Sequence, residues 1–386
     1  MPGFVMYYRR PLNSFSAVYS PFESKRFMMM TMGGYWPVIQ KLPDGNLGVV
    51  TRDSDFHVGQ RGRLVFLKSN DGGESWSHAK VVTSGGLDNR NPAFGITKDG
   101  EFLVAYIEND RYEDGLNNQR GNRGKGIVPI RITRSTDGGD SWETGIPMVG
   151  QGKEAWSGAD LVAGPEAYNG SSPFGKMLTS SDGTIFMTYY HTVRSETEEW
   201  QEAVFMIKSK DGGHSWVDPV TIAEGFNETS LCDLGSGRII AVMRESGAGQ
   251  PGQLGHRDEQ ATWQSDSFDD GNTWSVPRQI TGYMEHPADI VRLNNGKVLL
   301  TYGRRSGPFG IQAVLSEDGG ETWRDDRKLL LVADGGQDQG YPSTVQRDDG
   351  MIVTVYYSSD LKILGMPSAR PIGIHGASLI YNLEHI

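Results

Sequence analysis

The stretch Ser69–Trp76 reads SNDGGESW, and its pattern Ser-x-Asp-x-Gly-x-Ser/Thr-Trp occurs five times in this chain of 386 residues. The other copies are STDGGDSW at Ser135–Trp142, SKDGGHSW at Ser209–Trp216, SFDDGNTW at Ser267–Trp274 and SEDGGETW at Ser316–Trp323. Ser and Asp side chains accept hydrogen bonds from nearby backbone N–H groups, and glycine permits positive φ. The motif predicts stapled β-hairpins in which the tryptophan ring packs against the turn. It indicates fold rather than chemistry.

A second repeat lies between these boxes, where a glycine turn precedes a short apolar run rich in Val, Ile, Leu and Tyr. Its six glycines are Gly45, Gly100, Gly183, Gly237, Gly296 and Gly350, about 55 residues apart with one longer insertion in the third unit. Such runs are typical of β-strands. Six units of four strands predict an all-β fold, a six-bladed β-propeller with four-stranded antiparallel blades and five boxes, as one domain over residues 1–386. We expect a strand in Pro371–Ile386 to close the ring with the N-terminal segment.

Composition excludes several classes of function. The net charge is −11 with a pI near 5.3, which makes nucleic acid an unsuitable partner. The single Cys232 cannot form an intrachain disulfide. No stretch is apolar for the length of a membrane span, and the N-terminus lacks the apolar core of a signal peptide, so cytoplasmic residence is the default expectation. No metal-ligand spacing or cofactor motif is present, so we expect neither metal nor cofactor.

Propeller geometry predicts which residues meet at one face. Residues just before the first strand of each blade and just after the second converge near the axis. These positions are Trp36, Asn91, Pro173, Glu228, His286 and Tyr341, followed by Arg52, Glu108, His191, Arg244, Arg304 and Tyr357. Arg90 and His57 lie on adjacent loops. Several arginines in one concavity favour an anionic ligand, because the guanidinium matches a carboxylate with two hydrogen bonds.

The boxes resemble the Asp-box of the sialidase (neuraminidase) superfamily, and the six-unit layout is similar to that superfamily after about Gly33. The resemblance implies a nucleophilic tyrosine at Tyr341, in Gly340-Tyr341-Pro342-Ser343. It implies a base at Glu228, which follows Asn227, and a substrate-binding arginine at Arg244. Arg52 matches a recurrent family arginine. A phenol has a pKa of about 10 and needs such a base to become a nucleophile.

Three positions depart from the family pattern. Tyr35-Trp36-Pro37 stands where an Arg-Ile-Pro element begins the carboxylate-binding triad, so Trp36 is expected to be a stacking platform for a sugar ring. The third triad arginine is missing from Ser306–Gly310, although Arg304 and Arg305 are close in sequence. His57 occupies the position of the general acid, and Asp55 is two residues away. The departures predict a relative with a changed substrate.

The sequence therefore predicts a sialidase-like glycoside hydrolase that removes a terminal, acidic sugar, with a glycan or small acidic sugar as its partner. The expected catalytic residues are Tyr341, Glu228, His57 and Asp55. The expected substrate-binding residues are Arg244, Arg52, Arg90, Trp36, Arg304 and His286. Two alternatives remain open, a uronate-directed lyase and a non-catalytic glycan-binding propeller. The segments 111–131 and 150–172 interrupt two blades and are predicted to be loops over the mouth. The sugar, the linkage, the stereochemical outcome and the oligomeric state are left open.

Overall fold

The computed structural model describes residues 20–21, 23–55, 57, 61–83, 85, 87–109, 130–148, 150, 171–194, 200–217, 219–246, 260–336, 338–359 and 374–383. The two predicted mouth loops, 111–131 and 150–172, lie almost entirely outside these ranges. Within them the chain is built from β-strands, and no helix is long and apolar enough to cross a membrane. The helical element described there is the short 3-10 turn Asp325–Arg327.

The described strands follow one another along the chain as short segments. In order they are β1 (Ser20–Pro21), β2 (Lys25–Thr31), β3 (Gly33–Lys41), β4 (Leu47–Asp53), β5 (Arg63–Ser69), β6 (Lys80–Thr83), β7 (Asp88–Ile96), β8 (Phe102–Asn109), β9 (Arg131–Ser135), β10 (Ile146–Pro147), β11 (Ser172–Thr179), β12 (Ile185–Arg194), β13 (Trp200–Ser209), β14 (Val220–Glu224), β15 (Phe226–Gly235), β16 (Arg238–Glu245), β17 (Thr262–Ser267), β18 (Arg278–Gln279), β19 (Glu285–Arg292), β20 (Val298–Arg304), β21 (Gly310–Ser316), β22 (Leu329–Ala333), β23 (Gly340–Gln346), β24 (Ile352–Ser358) and β25 (His375–Tyr381).

These strands form antiparallel meanders of four, arranged as the blades of a propeller. The β3–β6 and β15–β18 blades are separate four-stranded sheets. The β7–β10 and β11–β14 blades join into one eight-stranded sheet through parallel pairing of β7 with β11. The β19–β22 blade carries β1 as a fifth strand, in parallel with β22. The last sheet has the order β2-β25-β24-β23.

The turns between the first and second strands are those that the glycine repeat predicts. The six glycines of the repeat all adopt positive φ, between 81° and 93°. An L-residue with a side chain is strained there, whereas glycine is not. The turn positions are therefore confirmed, and they fix where each inner strand ends and the next one begins.

Each Asp-box forms the same hydrogen-bonded turn. The Ser69 hydroxyl donates to Asp71 Oδ1 (2.8 Å) and accepts from the Gly73 N–H (2.8 Å), while Asp71 Oδ1 accepts from the Ser75 N–H (2.9 Å). Equivalent bonds recur in the other boxes. The carboxylate is thereby held in its charged form; the hydrogen bond from Thr273, for example, lowers the pKa of Asp269 to about 2. The boxes are structural.

The box tryptophans pack on a neighbouring blade, so the expectation that they pack against their own turn was incomplete. The ring of Trp142 contacts Phe66 of the β3–β6 blade, with centroids 6.0 Å apart. Trp323 donates its indole N–H to Gln264 of the β15–β18 blade at 2.9 Å. Trp76 donates to Ser378 on β25 at 3.3 Å. The last contact ties the first blade to the last sheet, which also shares a buried apolar cluster with it.

A box glycine also touches the neighbouring blade, which leads to a stability prediction. Gly139 has φ +92°, and a Cβ there would lie 2.4 Å from the buried Phe66 ring, whereas Gly138 (φ +75°) has nothing within 4 Å. We expect Gly139→Ala to lower the free energy of unfolding by roughly 2–4 kcal/mol, because backbone strain adds to overpacking. Gly138→Ala should cost about 1 kcal/mol from strain alone. Denaturant unfolding of both variants measures the difference, and equal losses would contradict the contact.

An N-terminal strand and a C-terminal strand meet in the last sheet. Strand β25 lies between β24 and β2, pairing antiparallel with each.

In the interior, Lys176 on β11 donates to Asp289 on β19 (2.8 Å) and to the carbonyl of Thr344 on β23 (2.8 Å), and all three are buried. Asp289 in turn accepts from the Thr344 N–H at 2.6 Å. A buried carboxylate requires such partners, so these contacts fix three inner strands relative to one another.

Candidate active site

Each of the six inner strands breaks its register near the same end, and five of the breaks carry a residue that was expected at the mouth; in β11 the break follows the expected Pro173. The breaks fall between Tyr35 and Val38, Arg90 and Ala93, Phe174 and Leu178, Asn227 and Thr229, Glu285 and Ala288, and Gly340 and Ser343. Trp36, Asn91 and Tyr341 have positive φ (48°, 54° and 51°). A bulge re-aims a side chain out of the regular alternation. Trp36, Asn91, Phe174, Glu228, Asp289 and Tyr341 are among the residues that line one cavity.

Tyr341 and Glu228, which line this cavity, form one hydrogen-bonded cluster with Arg244. The Tyr341 hydroxyl donates to Glu228 Oε1 at 2.6 Å, and Arg244 Nη1 donates to Glu228 Oε2 at 2.6 Å. Arg244 Nη1 also lies 3.3 Å from the Tyr341 oxygen. The phenol therefore contacts both a proton acceptor and a cation. The three residues come from β23, β15 and β16, so the cluster depends on contact between two blades.

The protonation of this cluster follows from burial and charge. Burial, followed by the charge of Glu228, raises the pKa of Tyr341 well above its usual value, although Arg244 and Arg305 oppose the shift. Burial disfavours the charged form of Arg244, but Glu228 outweighs it and raises the pKa of Arg244. The resting site therefore holds a neutral phenol beside an ion pair. The phenol becomes nucleophilic only as its proton moves to the carboxylate.

Polar neighbours orient the cluster. Arg244 Nη2 donates to Gln260 at 3.2 Å, and Gln260 in turn donates to the carbonyl of Glu245 at 3.0 Å. Asn227, the residue before Glu228, donates its amide N–H to Glu202 at 2.7 Å. Burial raises the pKa of Glu202, which disfavours a second carboxylate charge here. Glu228 is therefore the favoured base in this part of the cavity.

Arg305, rather than the expected Arg304, lies beside Tyr341. The Arg305 guanidinium carbon is 5.2 Å from the centroid of the Tyr341 ring, and Arg305 Nε and Nη2 are buried without a hydrogen-bond partner. Arg304 instead donates to the carbonyls of Ser306 (3.2 Å) and Gly307 (3.1 Å). Consecutive residues of an extended chain point to opposite sides, which separates the two arginines. The predicted substrate contact of Arg304 is thus not supported by its position.

His286 is close enough to Arg244 and Arg305 for the charges of both to act on it. It is 1% exposed, and neither ring nitrogen has a hydrogen-bond partner. Burial lowers its pKa well below the usual value, and the charges of Arg244 and Arg305 add to this effect. The imidazole is therefore neutral at physiological pH, with one donor and one acceptor nitrogen that make no hydrogen bond in the structure.

Trp36 is buried at 5% exposure, so it is not the open stacking platform expected from sequence. Its ring lies under the guanidinium of Arg90 (4.6 Å) and near that of Arg52 (5.7 Å). Arg52 is fully buried and pairs with Asp88 at 2.6 Å, while Arg90 lies 3.6 Å from the same carboxylate. Asp88 therefore already neutralises part of this charge. Arg52 and Arg90 support the aromatic wall of the site, which differs from the direct substrate contact expected of them.

His57 and Asp55 differ in how they are held. His57 Nδ1 lies 3.0 Å from both carboxylate oxygens of Asp338. Asp55 Oδ2 accepts from the backbone N–H of Arg61 at 3.0 Å, within its own loop. The His57 ring meets the Trp36 ring edge-on, with centroids 5.1 Å apart. Of these two acid candidates, His57 contacts the aromatic wall beside Tyr341.

Two other residues predicted at the mouth, Glu108 and His191, make their contacts away from the Tyr341 cluster. Glu108 pairs with Arg131 at 2.7 Å. His191 is buried, stacks on Phe205 with centroids 4.6 Å apart, and has its pKa lowered to about 4 by burial. Neither residue contacts the Tyr341 cluster.

Sequence reasoning missed several residues of the site. Asp338 lies three positions before Tyr341 in sequence, but its partner His57 is 281 positions away. Tyr190 ends a predicted strand, and its hydroxyl accepts from Asn91 at 3.1 Å. Burial, followed by the charge of Glu228, raises the pKa of Tyr190 well above its usual value. Local patterns carry no signal for contacts of this kind between blades.

No ligand set for a metal appears in the part of the chain that the structure describes. There, no group of three or more His, Cys, Asp or Glu side chains is placed to hold a metal ion. The chemistry available to the described site is that of a phenol, a carboxylate, an imidazole and guanidinium groups.

The sequence of this chain matches a known family and a curated relative. Residues 127–354 match the BNR repeat-like domain. A sialidase of Bacteroides fragilis (strain YCH46) is 25% identical over 313 residues, covering 76% of this chain and 53% of the relative. The chain thus spans about half the length of that curated relative.

Solved structures share the fold over nearly the whole chain. A protein of unknown function from Dyadobacter fermentans DSM 18053 is 24% identical with a TM-score of 0.68, and the match covers 94% of this chain and 98% of that one. The Hadza microbial sialidase Hz136 is 20% identical with a TM-score of 0.66, covering 92% of this chain and 67% of that one. The fold is that of sialidase-like glycoside hydrolases. The chain belongs to the BNR repeat-like domain family, as a divergent member of the sialidase superfamily.

Proposed function

We propose that this protein is a retaining exo-glycosidase that removes a terminal acidic sugar, with Tyr341 as nucleophile and Glu228 as its base. The observation that supports the proposal is the 2.6 Å hydrogen bond from the Tyr341 hydroxyl to Glu228, beside the guanidinium of Arg244. A nucleophile in contact with a base that is itself oriented by a third group is the arrangement that covalent catalysis requires. The similarity to a sialidase supports the same reaction class.

The first half of the reaction forms a bond to the protein. Tyr341 Oη attacks the anomeric carbon while its proton moves to Glu228, and the glycosidic C–O bond breaks. The leaving oxygen takes a proton from an acid of the rim, where His57 and Asp55 lie. A neutral nucleophile suits an anomeric centre that bears a carboxylate, because a carboxylate nucleophile would be repelled. Water then releases the sugar with net retention.

The preference for an acidic sugar is supported by the charges in the cavity. Arg305 directs two buried N–H groups without partners into the region beside Tyr341. His286 is neutral, has no hydrogen-bond partner, and feels the charges of both Arg244 and Arg305. A carboxylate would satisfy these donors with charge-assisted hydrogen bonds. Arg244 and Arg305 are therefore proposed to bind the acidic group of the substrate.

Arg305→Met is expected to raise KM for an acidic substrate roughly 10- to 100-fold, since a charge-assisted contact contributes about 1.5–3 kcal/mol. The thermal midpoint should change little. The control is Arg324→Met, which removes an exposed arginine paired with Asp326. Steady-state kinetics of both variants measure the effect. An unchanged KM in Arg305→Met would contradict the proposed contact.

We also infer that the blades close into one ring of six, with the eight-stranded sheet counted as two. The pairing of β2 with β25 and the shared cluster of the first and last sheets support this closure. In such a ring the cavity beside Tyr341 lies at the axis. The closure of this ring is also the argument for the predicted single domain over residues 1–386.

A direct release assay tests the proposed function. Purified protein is incubated with 4-nitrophenyl α-sialoside and with a panel of uronate-capped and uncharged aryl glycosides, and the first-formed anomer is read by proton NMR. Release from an acidic glycoside with retained configuration supports the proposal. Inversion, an unsaturated product that absorbs in the ultraviolet, or saturable binding without any product would each overturn it. The last two outcomes would instead support a lyase and a glycan-binding module.

A further inference from the structure

Asp338 makes a specific contact with His57 at the rim of the site. His57 Nδ1 lies 3.0 Å from each carboxylate oxygen of Asp338, and the Tyr357 hydroxyl donates to Asp338 Oδ1 at 2.6 Å. The side chains of His57 and Asp338 are 35% and 42% exposed, so the pair lies at the rim and is open to substrate. With Nδ1 engaged, Nε2 is the ring nitrogen left for another partner.

The His57 ring is held in place by aromatic neighbours. It meets the rings of Trp36 and Tyr35 edge-on, with centroids 5.1 and 5.6 Å away. The same Trp36 ring lies 6.4 Å from that of Tyr341. One indole therefore contacts both the imidazole and the ring of Tyr341.

Asp338 is a charged group on the segment that carries the nucleophile. Burial opposes its ionisation, but the hydrogen bonds from His57 and Tyr357 outweigh burial and lower the pKa of Asp338, with help from the charge of Arg305. Gln339 anchors the segment by donating to the carbonyls of Arg304 (2.7 Å) and Gly310 (3.2 Å). Asp338 is thus positioned with Tyr341 rather than by an independent loop.

We infer that His57, held by Asp338, is the general acid and base of the reaction, and that Asp338 is its positioning residue. This inference rests on the proposed function and assigns the role that the sequence left open between His57 and Asp55. Asp55 is directed toward the Arg61 N–H, whereas His57 has a carboxylate behind Nδ1 and presents Nε2. A carboxylate behind an imidazole fixes its tautomer and stabilises the imidazolium.

The proton steps balance over one turnover. In the first half, the protonated His57 gives its Nε2 proton to the leaving oxygen as the glycosidic bond breaks and Tyr341 bonds to the anomeric carbon. The proton of Tyr341 moves to Glu228. In the second half, water loses a proton to His57 Nε2, and its oxygen bonds to the anomeric carbon. The bond to Tyr341 breaks, and the phenolate regains its proton from Glu228.

Several titratable groups bear on the charge of His57. Asp338 contacts it directly, and the Tyr35 ring meets it edge-on. The groups that act through Asp338, Tyr35 or Trp36 are Tyr357, Arg305, Asp55, Arg52 and Arg90. Arg52 and Arg90 share Asp88, so their charge is partly compensated. Asp338 is the carboxylate in hydrogen-bond contact with the ring. Its removal should therefore dominate any change in the protonation of His57.

The test is Asp338→Asn, with Asp334→Asn as a matched control. Asp334 also contacts a histidine and a tyrosine, His375 (3.3 Å) and Tyr356 (3.0 Å), but these are not among the residues of the site. Substrates are methyl α-sialoside, whose leaving group needs a proton, and 4-nitrophenyl α-sialoside, whose leaving group does not. We expect Asp338→Asn to lower kcat/KM on the methyl glycoside on the order of 10²-fold and on the aryl glycoside less than 10-fold. Equal losses on both substrates would overturn the inference.

A second readout does not depend on turnover. Nitrogen-15 NMR of the imidazoles, with the His57 signal assigned by its loss in His57→Asn, should report a proton on Nδ1 in the wild type at high pH. This preference should weaken in Asp338→Asn and persist in Asp334→Asn. A proton on Nε2 in the wild type would overturn the role of Asp338 even if the enzyme is active. The expected tautomer without release from any acidic glycoside would instead overturn the proposed function and retain the positioning contact.

Discussion

Tyr341→Phe is expected to abolish turnover while leaving the fold and substrate binding intact. The substitution removes one oxygen, and with it the 2.6 Å hydrogen bond to Glu228. Phenylalanine keeps the ring contacts with Trp36, Phe174 and Tyr357. Because no bond to the sugar can form, kcat should fall by a factor on the order of 10⁴ or more. Release of 4-nitrophenol and a thermal melt measure the two properties.

The control is Tyr356→Phe, which removes a hydroxyl bonded to Asp334 rather than one in the cluster. It should retain most of the activity and lose some stability. A Tyr341→Phe protein that turns substrate over at a rate near the wild type would remove Tyr341 as nucleophile. Retained binding of the sugar by calorimetry would separate lost chemistry from lost recognition.

Glu228→Gln should have the second largest effect, with kcat lowered on the order of 10³-fold. The amide keeps the shape of the side chain but cannot take the proton of Tyr341. It also leaves the partly buried Arg244 without the carboxylate that lies 2.6 Å away. Removing one partner of a buried ion pair costs about 3–5 kcal/mol when nothing replaces it, and the amide oxygen should reduce this loss. Steady-state kinetics and denaturant unfolding measure the two effects.

Glu202→Gln is the matched control for that variant. Glu202 is a partly buried acid of the same region, and burial raises its pKa, so the amide resembles the form already favoured. Its bond from Asn227 can be kept by the amide oxygen. Near-normal turnover is expected. If Glu202→Gln lost as much activity as Glu228→Gln, the base would have to be reassigned.

The fold was largely predictable because its determinants are local. The box side chains bond to N–H groups within four residues of one another, and the turn glycines need positive φ wherever they occur. Repetition made both signals readable without an alignment. What the sequence did not reveal is that the box tryptophan and glycine pack on the next blade, since Trp142 and Gly139 both meet Phe66.

The site was predictable only where a motif marks the residue. Tyr341, Glu228 and Arg244 lie in recognisable local sequences, and the fold brings them together. Arg305 and Asp338 have no such signal, because their roles depend on which side of a strand end they face and on contacts across the ring. The burial of Trp36 between guanidinium groups likewise depends on Arg90 and Arg52, which lie on other strands.

The bulges explain why these mouth residues lie together. A regular strand would alternate side chains between its two faces, whereas the register breaks at the ends of the inner strands place Trp36, Asn91, Glu228 and Tyr341 at the cavity. Trp36, Asn91 and Tyr341 take positive φ at these breaks, which is uncommon for residues with side chains. Strain of this kind is tolerated where surrounding structure holds it, and here it places the nucleophile candidate against Glu228.

The central claim, that Tyr341 forms a covalent bond to the sugar, is tested most directly by trapping that bond. The protein is incubated with a fluorinated sialosyl fluoride, whose second fluorine slows release, and is then examined by intact mass and peptide mapping. We expect one added glycosyl unit, located on the peptide that contains Tyr341 and absent from Tyr341→Phe. A glycosyl unit on Glu228 or another residue, or turnover of the wild type on a sialoside without any trapped intermediate, would contradict the account.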